Sequence, residues 1–421
     1  MTLANPEHPE AVVPSGPPAR KARKARPNRS PREEGGFFKF LFRLTFATHV
    51  PVALAWGEAL RRLDVGYPWA VGAALAFGAV SLFRRRVRPV VWDSPRPALR
   101  RVLTEETYFI HWCAALGAAV VCAVALPLTA LAFAFGAAPA SAFGGVALWA
   151  YGALLAISTY AVWVRRHWVV VRHVTLPVRG LPAAFDGLRV AHLSDLHIGG
   201  FMPRATGERW VRMANREAPD LVAVTGDLVT SGTAFHQDIA DVLGGLKAPL
   251  GVFASMGNHD YFGDGEPLAT LLRDKGLTLL RNTSVAVERG GAALRIAGVD
   301  DTWTKRANLD QALADPAPGV PTVLLAHDPD LFPAAADRGA DVVLAGHTHA
   351  GQVALPFFVR QVNLSRLKHE FTYGVYRRGD STLYVHAGLG ITGPPLRLGA
   401  APEIVILTLR PLEGGAPPAR S

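Results

Sequence analysis

Two patterns of hydrophobic and polar residues divide the chain. Up to residue 166, long apolar segments predict helices that cross a membrane. From residue 188 onward, short apolar runs such as Val-Ala-Val and Val-Leu-Leu alternate with amphipathic stretches, which is typical of buried parallel strands joined by helices. This pattern predicts an α/β domain of two packed sheets with helices outside. The predicted strands are 188–194, 221–226, 252–256, 284–288, 293–299, 322–326, 342–346, 383–387 and 403–409, and the predicted helices are 205–217, 236–246, 267–275, 307–314 and 329–338.

Four segments of the N-terminal part are candidate transmembrane helices. Residues 142–164 are uncharged, and residues 108–137 contain no Asp, Glu, Lys or Arg, so both can span a bilayer. Residues 67–83 lie at the short end of the spanning range. Residues 37–60 are the weakest candidate because they carry Lys39, Arg43 and Glu58, and an interfacial helix is the alternative. The sequence thus predicts an α-helical membrane region of about four transmembrane helices.

The distribution of Arg predicts how this region is oriented. The link over 84–101 holds seven Arg, whereas the turn over 138–141 has no charge. Basic loops stay in the cytoplasm, so we expect a multi-pass protein of the inner (plasma) membrane whose C-terminal domain is cytoplasmic. His111 is the one ionisable residue of note in the three stronger spans, and the sequence shows no partner for it. A membrane anchor is therefore a simpler role than an ion pathway.

Charge and composition complete the predicted division into domains. The net charge is +10, yet from Thr175 onward 23 Lys and Arg face 25 Asp and Glu, which argues against nucleic acid as a partner. We predict a disordered basic tail over 1–36, with contact to anionic lipid headgroups as the alternative. A transmembrane region over 37–166, a linker over 167–187 and the α/β domain over 188–421 follow.

Short polar clusters follow five of the predicted strands. Because ligands gather at the carboxyl ends of parallel strands, these clusters bring Asp, His and Asn to one rim. Each cluster alone is as well explained by a turn, but five together predict a metal site with enough donors for two ions. The donors are oxygen and imidazole, which suit Mn²⁺, Fe, Zn²⁺ or Mg²⁺. The clusters are Asp195-Leu196-His197, Gly226-Asp227, Gly257-Asn258-His259-Asp260, Ala326-His327-Asp328 and Gly346-His347-Thr348-His349.

The order of these clusters resembles the calcineurin-like metallophosphoesterases over roughly residues 188–410. The segment 346–352 and the glycines of 388–390 resemble a membrane-associated bacterial phosphodiesterase branch, related to UDP-2,3-diacylglucosamine hydrolase-like proteins. The resemblance implies a four-layer αββα sandwich and two divalent ions, with Mn²⁺ favoured and Fe, Zn²⁺ or Co²⁺ as alternatives. It implies one ion at Asp195, His197, Asp227 and His349, and a second at Asp227, Asn258, His327 and His347, with Asp227 bridging. It also implies that His259 protonates the leaving oxygen, with Asp260 as a possible orienting partner.

The resulting hypothesis is a membrane-anchored, dinuclear metal-dependent phosphoesterase. It would cleave a phosphodiester or pyrophosphate by attack of a metal-bound hydroxide on phosphorus. Its position at a bilayer suggests a lipid-linked or nucleotide-sugar substrate, and no protein partner can be inferred. The alternatives are a UDP-2,3-diacylglucosamine hydrolase of lipid A synthesis, a nuclease or cyclic-nucleotide phosphodiesterase, and a membrane scaffold or sensor with a vestigial site.

Other polar residues are assigned weaker roles. His192 is expected in the core, and the pair Asp300-Asp301 is expected in a turn or helix cap. His386 is expected either to line the pocket or to pack. Arg397 is expected on the surface, with a phosphate contact as the alternative. His236 and His369 are expected to be ordinary surface residues.

Overall fold

The N-terminal part of the computed structural model is helical. The structure describes residues 11–12, 31–83, 95, 97–136, 142–315 and 317–412. Most of the predicted tail, much of the 84–101 link and the 138–141 turn lie outside the described residues. The tail nevertheless ends earlier than predicted, because a helix begins at Pro31, and Ala11–Val12 form a two-residue strand, β1. The helices are α1 (Pro31–Arg62), α2 (Pro68–Ser81), α3 (Ala98–Ala134, with a π-helical turn over Arg101–Glu106) and α4 (Ala142–Trp163).

Three of the described helices, rather than four, are long and apolar enough to cross a membrane. They are Phe38–Arg62, Ala98–Ala134 and Ala142–His167. Helix α2 has only 14 residues. At about 1.5 Å per residue, it falls short of a hydrocarbon core of about 30 Å. The separate span predicted over 67–83 is therefore not confirmed within the described residues, and α2 packs along α1, where Phe46 stacks on Phe77 with ring centroids 4.8 Å apart.

His111 does have partners inside this helical region. Its Nε2 lies 3.0 Å from Nε2 of His49 in α1, and its Nδ1 lies 2.8 Å from the hydroxyl oxygen of Tyr151 in α4. The expectation that His111 lacks a partner is wrong because both partners are distant in sequence. The three side chains join α1, α3 and α4 through hydrogen bonds.

A six-stranded sheet carries the first part of the α/β domain. Its spatial order is β2 (Val170–Val178), β13 (Glu403–Pro411), β3 (Arg189–Leu193), β4 (Leu221–Thr225), β5 (Val252–Ser255) and β6 (Thr278–Leu279). All neighbours are parallel except β13 and β3. Strand β2 runs through the predicted linker over 167–187, so that prediction is wrong for its central part. Its apolar pattern is broken by Arg172, His173 and Pro177, and pairing with β13 over its whole length compensates.

A seven-stranded sheet carries the second part. Its order is β1, β11 (Gly374–Arg378), β12 (Ser381–Val385), β10 (Val342–Ala345), β9 (Thr322–Leu325), β8 (Ala292–Gly298) and β7 (Thr283–Arg289). The four central strands, β12, β10, β9 and β8, are parallel, and hairpins add β11 and β7 antiparallel to them. Parallel central strands place the ends of β9 and β10 side by side.

Helices and three buried hydrophobic clusters complete the domain. The helices are α5 (Arg204–Arg216), α6 (His236–Leu243), α7 (Gly265–Asp274), α8 (Leu309–Ala312) and α9 (Phe332–Asp337). Short 3₁₀ turns lie at Arg165–His167, Ala183–Phe185, His259–Tyr261, Pro329–Leu331, His349–Gly351 and Leu364–Leu367. One cluster joins residues of both sheets, including Val190 and Leu344, and the other two join one sheet to its helices. The mixed α/β sheets agree with the expected class, and the number of layers stays a prediction.

The α/β domain contacts the apolar N-terminal helices through buried charged residues. The Glu106 carboxylate in α3 accepts hydrogen bonds from Arg166 at 2.6 Å, Arg101 at 3.1 Å and the Trp163 indole at 3.0 Å. Arg101 also donates to the carbonyl of Gly200 at 2.9 Å, next to Phe201, whose ring meets Phe109 of α3. Glu106 and Arg166 are almost fully buried, so this ion pair joins α3 to the end of α4 without contact to water. Arg166 also donates to the carbonyl of Pro395 at 3.2 Å, which ties the pair to the α/β domain.

Candidate metal centre

The predicted ligands stand just after strand ends, in a backbone conformation that residues other than glycine rarely adopt. Asp195 follows β3, Asp227 follows β4, Asn258 follows β5, and His327 and His347 follow β9 and β10. Left-handed backbone costs a non-glycine residue of the order of 1 kcal/mol or more and tends to cluster at functional sites. Five of the seven predicted ligands adopt it, with φ of 52° at Asp195, 46° at His197, 51° at Asp227, 69° at His347 and 52° at His349.

The first group of side chains brings together Asp195, His197, Asp227 and His349. One ligand atom of each lies within 4.8 Å of all the others. Nε2 of His197 lies 3.0 Å from Nε2 of His349, which in turn lies 3.3 Å from Oδ1 of Asp195. These are the four residues that the sequence predicts for one ion.

The second group contains Asp227, His327 and His347. Nε2 of His327 lies 3.1 Å from Oδ2 of Asp227 and 3.1 Å from Nδ1 of His347. Nδ1 of His327 donates to the carbonyl of Thr225 at 2.7 Å, which turns Nε2 toward the centre. Asn258 follows Gly257, which packs closely against Asp227 and His327, and its Oδ1 is buried without a hydrogen-bond partner among the described residues. Asp227 is therefore common to both groups.

The donor atoms fit divalent ions. Two ligands at right angles on an ion with bonds of about 2.1 Å lie ~3 Å apart, which matches the separation of the facing imidazole nitrogens in each group. Two facing imidazole nitrogens cannot both keep lone pairs in contact without a proton or cation between them. The Oδ1 of Asn258 accepts no hydrogen bond from the described residues, so it is free to act as a further metal ligand. The residues present thus suit two ions that share Asp227.

Burial sets the protonation of this site. Burial lowers the pKa of His197 to about 3 and, with the neighbouring His197 ring, lowers the pKa of His349 well below its usual value. Both imidazoles are therefore neutral and have the lone pair that a metal needs. Burial also raises the pKa of Asp195 to about 7, an effect that the field of a bound cation would reverse.

His259 lies beside these groups, but its predicted orienting partner does something else. Nδ1 of His259 donates to the carbonyl of Thr230 at 2.6 Å, and its main-chain N–H donates to Oδ1 of Asp227 at 2.9 Å. The carboxylate of Asp260 instead accepts the main-chain N–H groups of Leu228, Val229 and Gly257. Asp260 as the partner of His259 is therefore wrong, because Asp260 holds two of the ligand loops together while Thr230 orients the imidazole.

Arg397 is the main residue that the sequence misplaces. Its side chain is fully buried and donates to the carbonyls of Ala387 and Gly390, and Nη2 lies 3.2 Å from Nδ1 of His349. The surface position expected for Arg397 is wrong, because main-chain carbonyls satisfy its guanidinium inside the protein. His192 is buried as expected, and His386 packs on it with ring centroids 4.8 Å apart. The surface position expected for His236 is also wrong, since it is buried.

Aromatic and basic side chains form the rim around His347 and His259. The ring of Trp303 lies 5.1 Å from that of His347, and Nζ of Lys368 lies 3.8 Å above Trp303. His369, expected on the surface, stacks edge-on against His347 at 5.1 Å. Phe262 packs on His259 at 4.4 Å. Asp301 accepts the main-chain N–H of Thr304, which is the turn expected there.

Comparison with known proteins gives the family. The family model for calcineurin-like phosphoesterases matches residues 188–351, which include every predicted ligand. A metallophosphoesterase of Bacillus subtilis, YkuE, is 31% identical over 255 residues, covering 60% of this chain and 89% of the relative. A metallophosphoesterase of Aquifex aeolicus is 32% identical and is covered over 96% of its length, with 62% of this chain. The chain belongs to the calcineurin-like metallophosphoesterases. It is therefore a hydrolase.

The name of a vertebrate relative joins a transmembrane part to a metallophosphoesterase domain. The "transmembrane protein with metallophosphoesterase domain" of Danio rerio is 35% identical over 251 residues, which are 56% of each chain. The chain thus spans just over half the length of that relative.

Proposed function

We propose that this metallophosphoesterase holds two divalent ions at one centre and hydrolyses phosphodiester or pyrophosphate bonds at the cytoplasmic face of the inner (plasma) membrane. The observation that carries the proposal is the position of Asp227. Its carboxylate belongs to two groups of buried ligands, each with a pair of facing imidazole nitrogens. A shared carboxylate suits two ions about 4 Å apart, the arrangement used for in-line displacement at phosphorus. Mn²⁺ is the favoured ion, with Fe, Zn²⁺ or Co²⁺ as alternatives.

Each residue has a distinct task in this proposal. Asp195, His197 and His349 hold one ion, Asn258, His327 and His347 hold the other, and Asp227 binds both. Such ions, when bound, activate water and neutralise the phosphoryl oxygens. The protein's own proton donor is His259: its Nδ1–H donates to the Thr230 carbonyl, and in the doubly protonated imidazolium its Nε2–H gives the proton to the leaving oxygen, which leaves a neutral imidazole.

The rim and the membrane helices support the substrate class. The cationic Lys368, stacked on Trp303 beside His347, provides positive charge for a second anionic group next to the scissile bond. A pyrophosphate brings that second group as its other phosphate, and a phosphodiester brings it only when one of its substituents is anionic. Three candidate spans keep the site near a bilayer, which favours a lipid-linked or nucleotide-sugar phosphoester. The Arg-rich link over 84–101 supports the cytoplasmic orientation.

Asp227→Asn tests the proposal in the full-length protein in detergent. We expect the bound metal, measured by inductively coupled plasma mass spectrometry after dialysis against Mn²⁺, to fall from two ions to one or none. Turnover should be nearly lost on a panel of bis-p-nitrophenyl phosphate, p-nitrophenyl phosphate, a cyclic nucleotide and UDP-2,3-diacylglucosamine. The control is Asp310→Asn, whose side chain is 81% exposed. Wild-type metal content and rates in Asp227→Asn would contradict the dinuclear centre.

A further inference from the structure

One loop next to the metal centre exposes an unusual number of large apolar side chains. Residues 355–367, called here the apolar loop, connect the turn that carries His349 to the segment before β11. Phe357 is 99% exposed and Leu367 is 89% exposed. Burying such large apolar side chains is favourable, so a concentration of them in water marks an interaction surface. The large apolar residues exposed on this loop are Leu355, Phe357, Phe358, Val362, Leu364 and Leu367.

The apolar loop is ordered by its own polar residues. The Asn363 amide donates to the carbonyl of Val359 at 2.7 Å and to the hydroxyl of Thr372 at 3.1 Å. Its Oδ1 accepts the Ser365 hydroxyl at 2.6 Å and the Arg366 main-chain N–H at 3.1 Å. These bonds fix the backbone of the loop from within. The exposure of its apolar side chains is therefore a consequence of a hydrogen-bonded loop conformation.

The base of the apolar loop is bonded to the chain that touches the membrane helices. Ala354 donates its main-chain N–H to the carbonyl of Leu398 at 2.9 Å. The residue before Leu398 donates its own N–H to the carbonyl of Ala161 in α4 at 3.3 Å, and Arg166 donates to the carbonyl of Pro395 at 3.2 Å. The loop thus starts from a segment in direct contact with the end of a candidate span.

The same end of α4 has the residues of a membrane interface. Trp163 is 45% exposed and Trp168 is 60% exposed, and tryptophans are enriched where the lipid headgroups lie. Of the basic residues of the apolar loop and its flank, Arg366 is exposed, whereas Arg360 stacks on the ring of Tyr376 and Lys368 on that of Trp303. Basic residues near a membrane surface are attracted to anionic headgroups. Exposed apolar tips next to Arg366 match the apolar interior and the anionic headgroups of a lipid interface.

We propose that the apolar loop inserts into the interface of the same bilayer that α1, α3 and α4 cross, with the exposed Arg366 against anionic headgroups. The loop continues directly into Lys368 and His369, which contact Trp303 and His347 at the rim. Lipid contact therefore holds the mouth of the metal centre at the membrane surface. This inference rests on the membrane helices and does not require the proposed metal chemistry.

The test is depth-dependent fluorescence quenching of the full-length protein in lipid nanodiscs. In a Cys113→Ser, Cys122→Ala background, single cysteines are introduced by Phe357→Cys, Leu367→Cys or, as the control, Asp310→Cys, and are labelled with the fluorophore NBD. We expect a blue-shifted emission and several-fold stronger quenching by acyl-chain doxyl lipid at 357 and 367 than at 310. Omitting anionic lipid should reduce that quenching, and chelation of metal should not.

Two results would overturn the proposal. Quenching at 357 no stronger than at 310 would show that the loop does not reach lipid. A blue shift at 357 without quenching by doxyl lipid would show that protein, such as a second copy of the chain, covers the loop. Because quenching is read with and without metal and without substrate, a negative result here is separate from a failure of the dinuclear centre in Asp227→Asn.

Discussion

A single added methyl group at Gly257 tests how tightly the metal centre is packed. A Cβ on Gly257 would lie 2.5 Å from the main-chain nitrogen of Asp227 and 2.9 Å from Cδ2 of His327, and it would overlap Oδ1 of Asp227. Gly257 does not have a positive φ, so the alanine backbone itself is allowed. Gly257→Ala therefore acts through contact with the ligands and not through backbone strain.

The size of the effect follows from these contacts. Inserting a methyl group into a well-packed interior costs about 1–3 kcal/mol. Two of the three atoms in conflict belong to Asp227, the residue shared by both groups, and its main-chain nitrogen cannot move without the loop. If the strain is relieved only by displacing Asp227, metal affinity falls roughly 5- to 150-fold, at about 1.4 kcal/mol per factor of ten.

The assay separates metal affinity from folding. Equilibrium dialysis against graded Mn²⁺ with mass-spectrometric detection gives the midpoint of loading, and thermal unfolding in chelator gives the stability without metal. The control is Gly152→Ala in α4, where a Cβ would meet nothing within 4 Å. We expect Gly257→Ala to shift the loading midpoint upward, to lower the unfolding temperature without metal, or to do both. If neither quantity differs from the control, the packing argument is refuted.

Two further substitutions address proton transfer and the buried ion pair between the apolar helices and the α/β domain. His259→Asn should keep both ions but lower turnover of an alkyl ester by about 10²- to 10⁴-fold. The loss should be much smaller on a p-nitrophenyl ester, whose leaving oxygen needs no proton. Equal losses on the two esters would exclude His259 as the proton donor. Glu106→Gln leaves the buried Arg166 without its carboxylate, which should cost about 3–5 kcal/mol. Thermal unfolding of the full-length protein measures this loss. The control is Glu208→Gln, which removes an exposed surface ion pair and should cost little. Similar unfolding temperatures for the two variants would contradict a stabilising role for the buried ion pair.

The sequence predicts those parts of the fold and site that depend on local pattern. Each predicted strand of the α/β domain is present within a few residues, because four or five consecutive apolar residues suffice to define a buried strand. The gathering of ligands at one rim could be predicted because the polar clusters follow strand ends, and parallel strands bring their ends together; their division between two ions was implied by the family resemblance. His327 and His347 follow neighbouring strands of one sheet, and Asp195 meets His347 because the second sheet packs against the first.

Residues that act through long-range contacts could not be predicted. A buried arginine is rare, and Arg397 is buried only because carbonyls at 387 and 390 accept its hydrogen bonds. Asp260 follows His259 in the chain, which suggested a pair, but both lie in a 3₁₀ turn, where successive side chains point about 120° apart. Adjacent positions in such a turn face different neighbours, so Asp260 meets three amides while His259 meets Thr230.

The missed strand β2 changes how the membrane region and the catalytic domain are connected. The 3₁₀ turn at the end of α4 finishes at His167, and β2 begins at Val170, so only Trp168 and Val169 lie between them. A flexible linker over 167–187 would let the domain tumble above the bilayer. A link of two residues does not allow such movement, because β2 is hydrogen-bonded to β13 along its whole length and Arg166 is paired with Glu106. The α/β domain is therefore held against the apolar helices, and the apolar loop, which is bonded to the same segment that contacts α4, is held there with it.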